Sequence, residues 1–206
     1  LNLGKRLVLI GDSITEWGKN EDPEGIGRGY VRLIHDYLRV TEPEKNYEIF
    51  NKGIGGNRIT DLEARWQEDV LDLMPDTVSI SIGINDVWRQ LDQPELEQVA
   101  PDKFEQKYRK LLSQIKAATH ANIILMEPTI INEEINSEGN QKLKAYVEIV
   151  NKLAGEFDTL LVPTHQAFIE YLQKDSRYYL TTDGVHMNSA GNLLMANQWI
   201  KAVKNL

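Results

Sequence analysis

A serine at position 13 and a histidine at position 186, each close to an aspartate, are the residues of this chain best suited to do chemistry. Ser13 sits in Gly11-Asp12-Ser13-Ile14, directly behind the apolar run Leu7-Val8-Leu9-Ile10. A hydroxyl delivered where a buried strand ends stands where open α/β sheets bind their ligands, outside the carboxyl ends of the strands. Near the far end of the chain, Asp183-Gly184-Val185-His186 sets a carboxylate three residues before an imidazole. Together these are the parts of an acyl-transfer triad, in which the hydroxyl attacks, the imidazole moves its proton and the carboxylate orients the imidazole.

Acyl transfer also needs hydrogen-bond donors where negative charge develops. Two segments behind further apolar runs carry suitable residues: Asn51-Lys52-Gly53-Ile54-Gly55-Gly56-Asn57 and Gly83-Ile84-Asn85-Asp86. The oxyanion hole is expected from the backbone N–H groups of Ser13 and Gly56 and the side-chain amide of Asn85, glycine allowing a positive φ and a close approach to ligand. Asp12 is expected to line the site or to hold the turn. Trp88 and Arg89 are expected to contact substrate at the rim, with Trp17 and Tyr30 as further rim candidates. His165 and Glu127, at the crevice end of a strand, read as structural, while His35 lies at the edge of a helical apolar stripe and His120 precedes the fourth strand. No metal or cofactor is expected, because Asp183 and His186 lack an evident third ligand and neither HExxH nor a phosphate-cradling glycine-lysine loop occurs. Taken singly, Asp-Ser is also ordinary turn chemistry, and the aspartate and histidine of Asp183 to His186 could be a solvated turn.

Positioning these residues requires a particular order of elements. Runs rich in Val, Ile and Leu at 6–10, 47–50, 77–82, 122–126 and 159–162 suit strands buried on both faces. Between them lie apolar stripes at helical spacing: Val31, Ile34 and Leu38; Leu62, Trp66 and Val70; Phe104, Tyr108, Leu111 and Ile115; Leu143, Val147, Val150 and Ala154. Thr60 with Glu63 has the form of a capping box, and Gly155 is placed to end the fourth helix. A last helix over 188–203, with Asn188 or Ser189 as its cap, would turn Ala190, Leu193, Leu194 and Ile200 inward. The polar stretches 90–101 and 132–140 read as loops bordering a pocket. Strict alternation of strand and helix predicts the α/β class: a parallel sheet with right-handed crossovers inside a three-layer α/β/α sandwich.

Size and charge narrow the partners. A chain of 206 residues, 41% hydrophobic, is expected to form one domain over 1–206. Its 23 basic against 31 acidic residues give a formal charge of −8, which disfavours nucleic acid and anionic membrane and points to a small or neutral substrate. The absence of cysteine excludes disulfides, thiolate metal sites and a cysteine nucleophile. With no signal-like leader and no apolar stretch of about 20 residues, a cytoplasmic protein is expected. A homo-oligomer is compatible with the sequence.

In these four blocks the chain resembles the SGNH hydrolases, also called the GDSL family: GDSI, NKGIGGN, GIND and DGVH stand in the family's order. The resemblance implies a flavodoxin-like five-stranded parallel sheet, and roles for Ser13, Gly56, Asn85, Asp183 and His186 as described. Asn51-Lys52-Gly53-Ile54, Asp61-Leu62-Glu63-Ala64-Arg65-Trp66 and the stretch from Gly83 to Gln90 are similar to the intracellular acetylxylan and acetyl-xylo-oligosaccharide esterases of that family. That implies removal of acetyl groups from sugar hydroxyls through an acyl-enzyme, with a small acyl ester as partner. One departure is Thr182, where some relatives carry an aromatic residue before the aspartate. Two other readings are a lysophospholipase or thioesterase acting on longer acyl chains, and a flavodoxin-like binding module in which serine and histidine are incidental. No serine lies in a GxSxG elbow, which separates the chain from the α/β-hydrolases.

Overall fold

Apolar runs without a polar face can be satisfied only by cover on both sides. In a computed structural model, which describes residues 2–174 and 177–204, five strands pair in parallel. They are β1 (Arg6–Gly11), β2 (Glu48–Gly53), β3 (Thr77–Ser81), β4 (Asn122–Met126) and β5 (Leu160–Val162), in the order β2-β1-β3-β4-β5. This is the flavodoxin-like order, and its switch point lies beside β1. There Gly11 pairs with Gly53 on one side and with Ser81 on the other, so three strand ends open onto one crevice.

Eight α-helices complete the described residues: α1 (Ser13–Glu16), α2 (Tyr30–Thr41), α3 (Ile59–Asp69), α4 (Ile84–Asp92), α5 (Pro101–Ala118), α6 (Glu138–Glu156), α7 (Thr164–Leu172) and α8 (Ser189–Lys204). Helices α2 and α7 pack on α8, while α3 and α6 pack on α5, giving the two outer layers of the sandwich. A buried bond ties one layer to the sheet, where the Trp199 indole N–H of α8 donates to Ser79 Oγ of β3 at 3.1 Å. No helix among the described residues is long and apolar enough to cross a membrane.

Several local expectations need correction, each for a tertiary reason. Strand β2 runs on through Asn51 to Gly53, because the buried Asn51 amide finds the carbonyls of Thr15 and Ile26, both at 2.7 Å. Thr60 and Glu63 do not form a capping box. Helix α3 begins at Ile59, with Asp61 accepting from the Arg58 N–H at 2.7 Å and Asp86 from the Ile59 N–H at 3.1 Å, and Glu63 instead pairs with Lys107 and Lys110. Gly155 lies inside α6. The helix stops where Asp158 takes φ 49, with the Thr159 N–H bonded to Ala154 O and the Asp158 N–H to Gly155 O, the paired bonds of a Schellman end. Residues 90–92 and 138–140 belong to α4 and α6 rather than to loops.

The last helix is capped by Asn188, whose side chain accepts from the N–H groups of Ala190 and Gly191. Its inward face is displaced from the one expected: Leu193 is 59% exposed, and Asn192, Met195, Ala196, Trp199 and Val203 are buried. Polar Asn192 sits on the inner face because it accepts the Tyr30 N–H at 2.8 Å and donates to the carbonyls of Met187 and Asn188.

Candidate active site

Strand β1 ends at Gly11, where a side chain is forbidden: a Cβ would stand 2.3 Å from both Ser81 O and Thr15 Oγ1. The chain then turns sharply into the four-residue helix α1. Asp12 caps it, accepting the Ile14 N–H at 2.9 Å, and Ser13 opens the first turn. The Ser13 N–H therefore has no acceptor within the helix, as first-turn donors do not.

The imidazole arrives from the other end of the chain on a short antiparallel return. Thr181 bridges Met187, and the Thr182 N–H donates to His186 O at 2.8 Å. Glu133 steadies this return by accepting the N–H groups of Leu180 and Thr181 and the Thr181 hydroxyl. Inside it, Asp183 Oδ1 accepts the N–H groups of Val185 and His186 at 3.0 and 2.8 Å, leaving Oδ2 for the ring.

Three polar side chains fall into line across a sequence gap of 173 residues: Ser13 Oγ lies 2.8 Å from His186 Nε2, and His186 Nδ1 lies 2.7 Å from Asp183 Oδ2. Burial alone would raise the Asp183 carboxyl, but the bonds from the His186 ring and from the His186 and Val185 backbone hold it below the ordinary carboxylate value. An ionised carboxylate only accepts, so the ring proton resides on Nδ1 and Nε2 is left to take a proton from the serine. A hydroxyl within reach of an oriented base is the arrangement that activates a nucleophile.

Beside Ser13, the β2–α3 loop folds back as a turn in which the Asn57 N–H reaches Ile54 O at 3.3 Å. Gly56 occupies its third position with φ 76, a conformation that favours glycine, and it is exposed. The loop is tied to the Ser13 turn twice, by the Ile54 N–H to Gly11 O at 3.1 Å and the Gly55 N–H to Glu16 Oε2 at 2.5 Å. Asn85, in the first turn of α4, donates one amide hydrogen to Asn57 O at 3.1 Å, and its Oδ1 receives Arg89 Nη2 at 3.4 Å. The second amide hydrogen has no acceptor among the described residues.

Aromatic rings close two sides of the imidazole. Trp17 stacks on it, with centroids 5.4 Å apart and planes 20° from parallel, and Trp88 meets it edge-on at 5.8 Å. Arg89 lies 5.1 Å over the Trp88 ring and pairs with Asp92, so its guanidinium braces Asn85 and Trp88 instead of standing free at the rim. Asp12 is buried and does not line the crevice. Burial lifts its carboxyl to about 6 against the opposing pull of the Ile14 N–H and of His186. Tyr30 is also buried, its hydroxyl on Thr15 Oγ1 at 2.9 Å, and is no rim residue. His165 is held on Thr129 O at 2.5 Å, Glu127 takes Asn151 and the Gln166 N–H, His35 pairs with Asp36 and His120 is exposed, all outside this cluster.

Three contributors were not singled out from sequence: Glu16, Arg65, and Asp86 as the anchor of α3. A charged residue next to the buried stripe Leu62 and Trp66 is the one signal that could have pointed to Arg65.

Residues 9–194 match the GDSL-like lipase/acylhydrolase family. The chain belongs to that family. It is a carboxylic ester hydrolase, and its similarities extend over nearly its full length. The hydrolase is 38% identical over 208 residues to an acetylxylan esterase of Geobacillus stearothermophilus, covering 97% of this chain and 94% of the other. The crystal structure of Axe2, an acetylxylan esterase from that organism, matches with a TM-score of 0.90 at 36% identity, over 98% of this chain and 96% of that one. Other Axe2 structures are of catalytic mutants at a serine, an aspartate and a histidine, residue types that also form the line of hydrogen bonds described above.

Proposed function

We propose that this hydrolase removes acetyl groups from sugar hydroxyls, with acetylated xylo-oligosaccharides as its substrates, through an acetyl-serine intermediate on Ser13. The observation that carries the reading is the 2.8 Å separation of Ser13 Oγ from a histidine nitrogen whose partner nitrogen is held by Asp183. Ser13 Oγ attacks the ester carbonyl carbon as its proton passes to His186 Nε2. The carbonyl electron pair moves onto oxygen, which receives hydrogen bonds from the Ser13 and Gly56 N–H groups and the free amide hydrogen of Asn85. Collapse of this adduct breaks the bond to the sugar oxygen, which leaves with the proton from Nε2. Water, deprotonated by the same nitrogen, then attacks the acetyl carbon, releasing acetate and restoring the serine hydroxyl. Asp183 stays ionised and keeps the ring in its working tautomer.

The sugar assignment is supported by the name of the Geobacillus relative and by two indole rings beside the reacting atoms. Trp17 is 36% exposed, and Trp88 is partly buried. Indole faces pack well on the apolar face of a pyranose ring.

A chain-length series of p-nitrophenyl esters, run beside acetylated xylo-oligosaccharides, tests this reading. The expected result is a maximum at acetate, collapse by octanoate, and release of free acetate from the sugar. Rates that climb with chain length would give the enzyme to longer acyl groups, as in a lysophospholipase or thioesterase. Absence of hydrolysis, with ligand binding that survives serine-directed phosphonates, would leave a binding module.

A further inference from the structure

We propose that Arg65 of α3 is a positioning residue that locks the oxyanion hole to the nucleophile turn. This rests on the reading of Ser13, Gly56 and Asn85 given above. The Arg65 side chain is 14% exposed and spends its donors on separate segments of the site. Nη2 donates to Gly11 O at 3.0 Å, Nη1 to Lys52 O at 2.9 Å and Asp69 Oδ2 at 2.7 Å, and Nε to Asn57 Oδ1 at 2.8 Å.

Each acceptor adjoins one part of the machinery. Gly11 precedes the Asp12-Ser13 turn, and its carbonyl also receives the Ile54 N–H of the glycine loop. Lys52 lies on the strand that launches that loop. Asn57 follows Gly56 directly, and its carbonyl receives the Asn85 amide. One rigid fork therefore spans the turn carrying the Ser13 N–H, the loop carrying the Gly56 N–H and the residue that orients Asn85. A planar guanidinium can hold three such directions at once, and a compact ammonium cannot. Asp69 neutralises the buried charge and is shared with Lys52 Nζ at 2.8 Å.

An anchor that serves only to hold α3 in the fold would alter stability and leave the developing oxyanion indifferent to it. Positioning makes a different forecast, because hydrogen bonds aimed at a charge that forms only in the transition state act on kcat. The Arg65→Lys, Asn85→Ala and doubly substituted proteins are to be compared in kcat and KM for p-nitrophenyl acetate, with thermal unfolding recorded on each. Arg65→Lys is expected to lower kcat by about 10²-fold with KM within about threefold of the parent. In the double variant, the two losses are expected to overlap and fall well short of their product. If Arg65→Lys does not fold, Asn57→Ala, which cuts only the arm to the glycine loop, takes its place with the same expected overlap. A near-parental kcat in the folded variant, or losses that multiply, would overturn the proposal. Ser13→Ala, measured alongside, separates the failures: an active Ser13→Ala protein refutes the triad itself, whereas an inactive one beside a fully active Arg65→Lys refutes only the role of Arg65.

Discussion

The Trp17 indole lies nearly flat on the His186 imidazole, 5.4 Å between centroids, so the ring is braced by an aromatic wall as well as by Asp183. Trp17 is held in turn by its own backbone, whose carbonyl accepts the Arg28 N–H at 2.7 Å. An aromatic pair contributes about 0.5–1.5 kcal/mol beyond its buried area.

If that contact serves the imidazole, Trp17→Ala should lower kcat/KM by about three- to tenfold. The loss should be similar for p-nitrophenyl acetate, which offers no sugar to stack, and for an acetylated xylo-oligosaccharide. Steady-state rates on both substrates decide it. A loss confined to the sugar ester would assign Trp17 to the substrate alone.

Asp12 lies close enough to His186 for their charges to interact, with its carboxyl lifted by burial to about 6. Asp12 therefore holds its proton more tightly in the folded protein than in the unfolded chain, and its contribution to stability is lost as pH rises through about 6. Asp12→Asn keeps an oxygen to accept the Ile14 N–H and removes this titration, so its stability relative to the parent should improve between about pH 4 and about pH 7. Chemical unfolding of both proteins across that range checks it, and a difference that does not change with pH contradicts the expectation.

Asp86 is fully buried, and burial raises its carboxyl to about 7 against the pull of the Ile59 N–H and of Arg58. It holds its proton more tightly in the folded protein than in the unfolded chain. Its contribution is therefore complete below the ordinary value of 3.8 and is lost as pH rises through about 7. Asp86→Asn removes this titration, so its stability relative to the parent should improve between about pH 4 and about pH 8, by an amount on the order of a few kcal/mol. Urea unfolding of both proteins across that range measures it, and a difference independent of pH would be the contrary result.

The parts legible in the sequence are those where local chemistry and element order agree. Continuous apolar runs gave away the strands, and unusual glycine, asparagine and serine residues just behind them marked the crevice edge. Other features depend on partners distant in the chain. Asn192 occupies the buried face of α8 because it meets Tyr30, 162 residues away. Gly155 is passed over as a helix end because the bonds of Asp158 and Thr159 close the helix later. The arms of Arg65 reach Gly11, 54 residues back, and no periodicity announces such a bond. Trp17, Tyr30 and Arg89 looked alike as rim candidates from sequence, and only packing separates the exposed stack from the buried hydroxyl and the bracing guanidinium.

The most direct measurement is turnover of p-nitrophenyl acetate by the Ser13→Ala protein, with the unchanged fold confirmed by circular dichroism. Loss of a triad serine should remove about 10⁴ or more of kcat, with no acetylated protein detected by intact mass. Turnover within a few fold of the parent would contradict the assignment of Ser13 as nucleophile, and with it the account of the site.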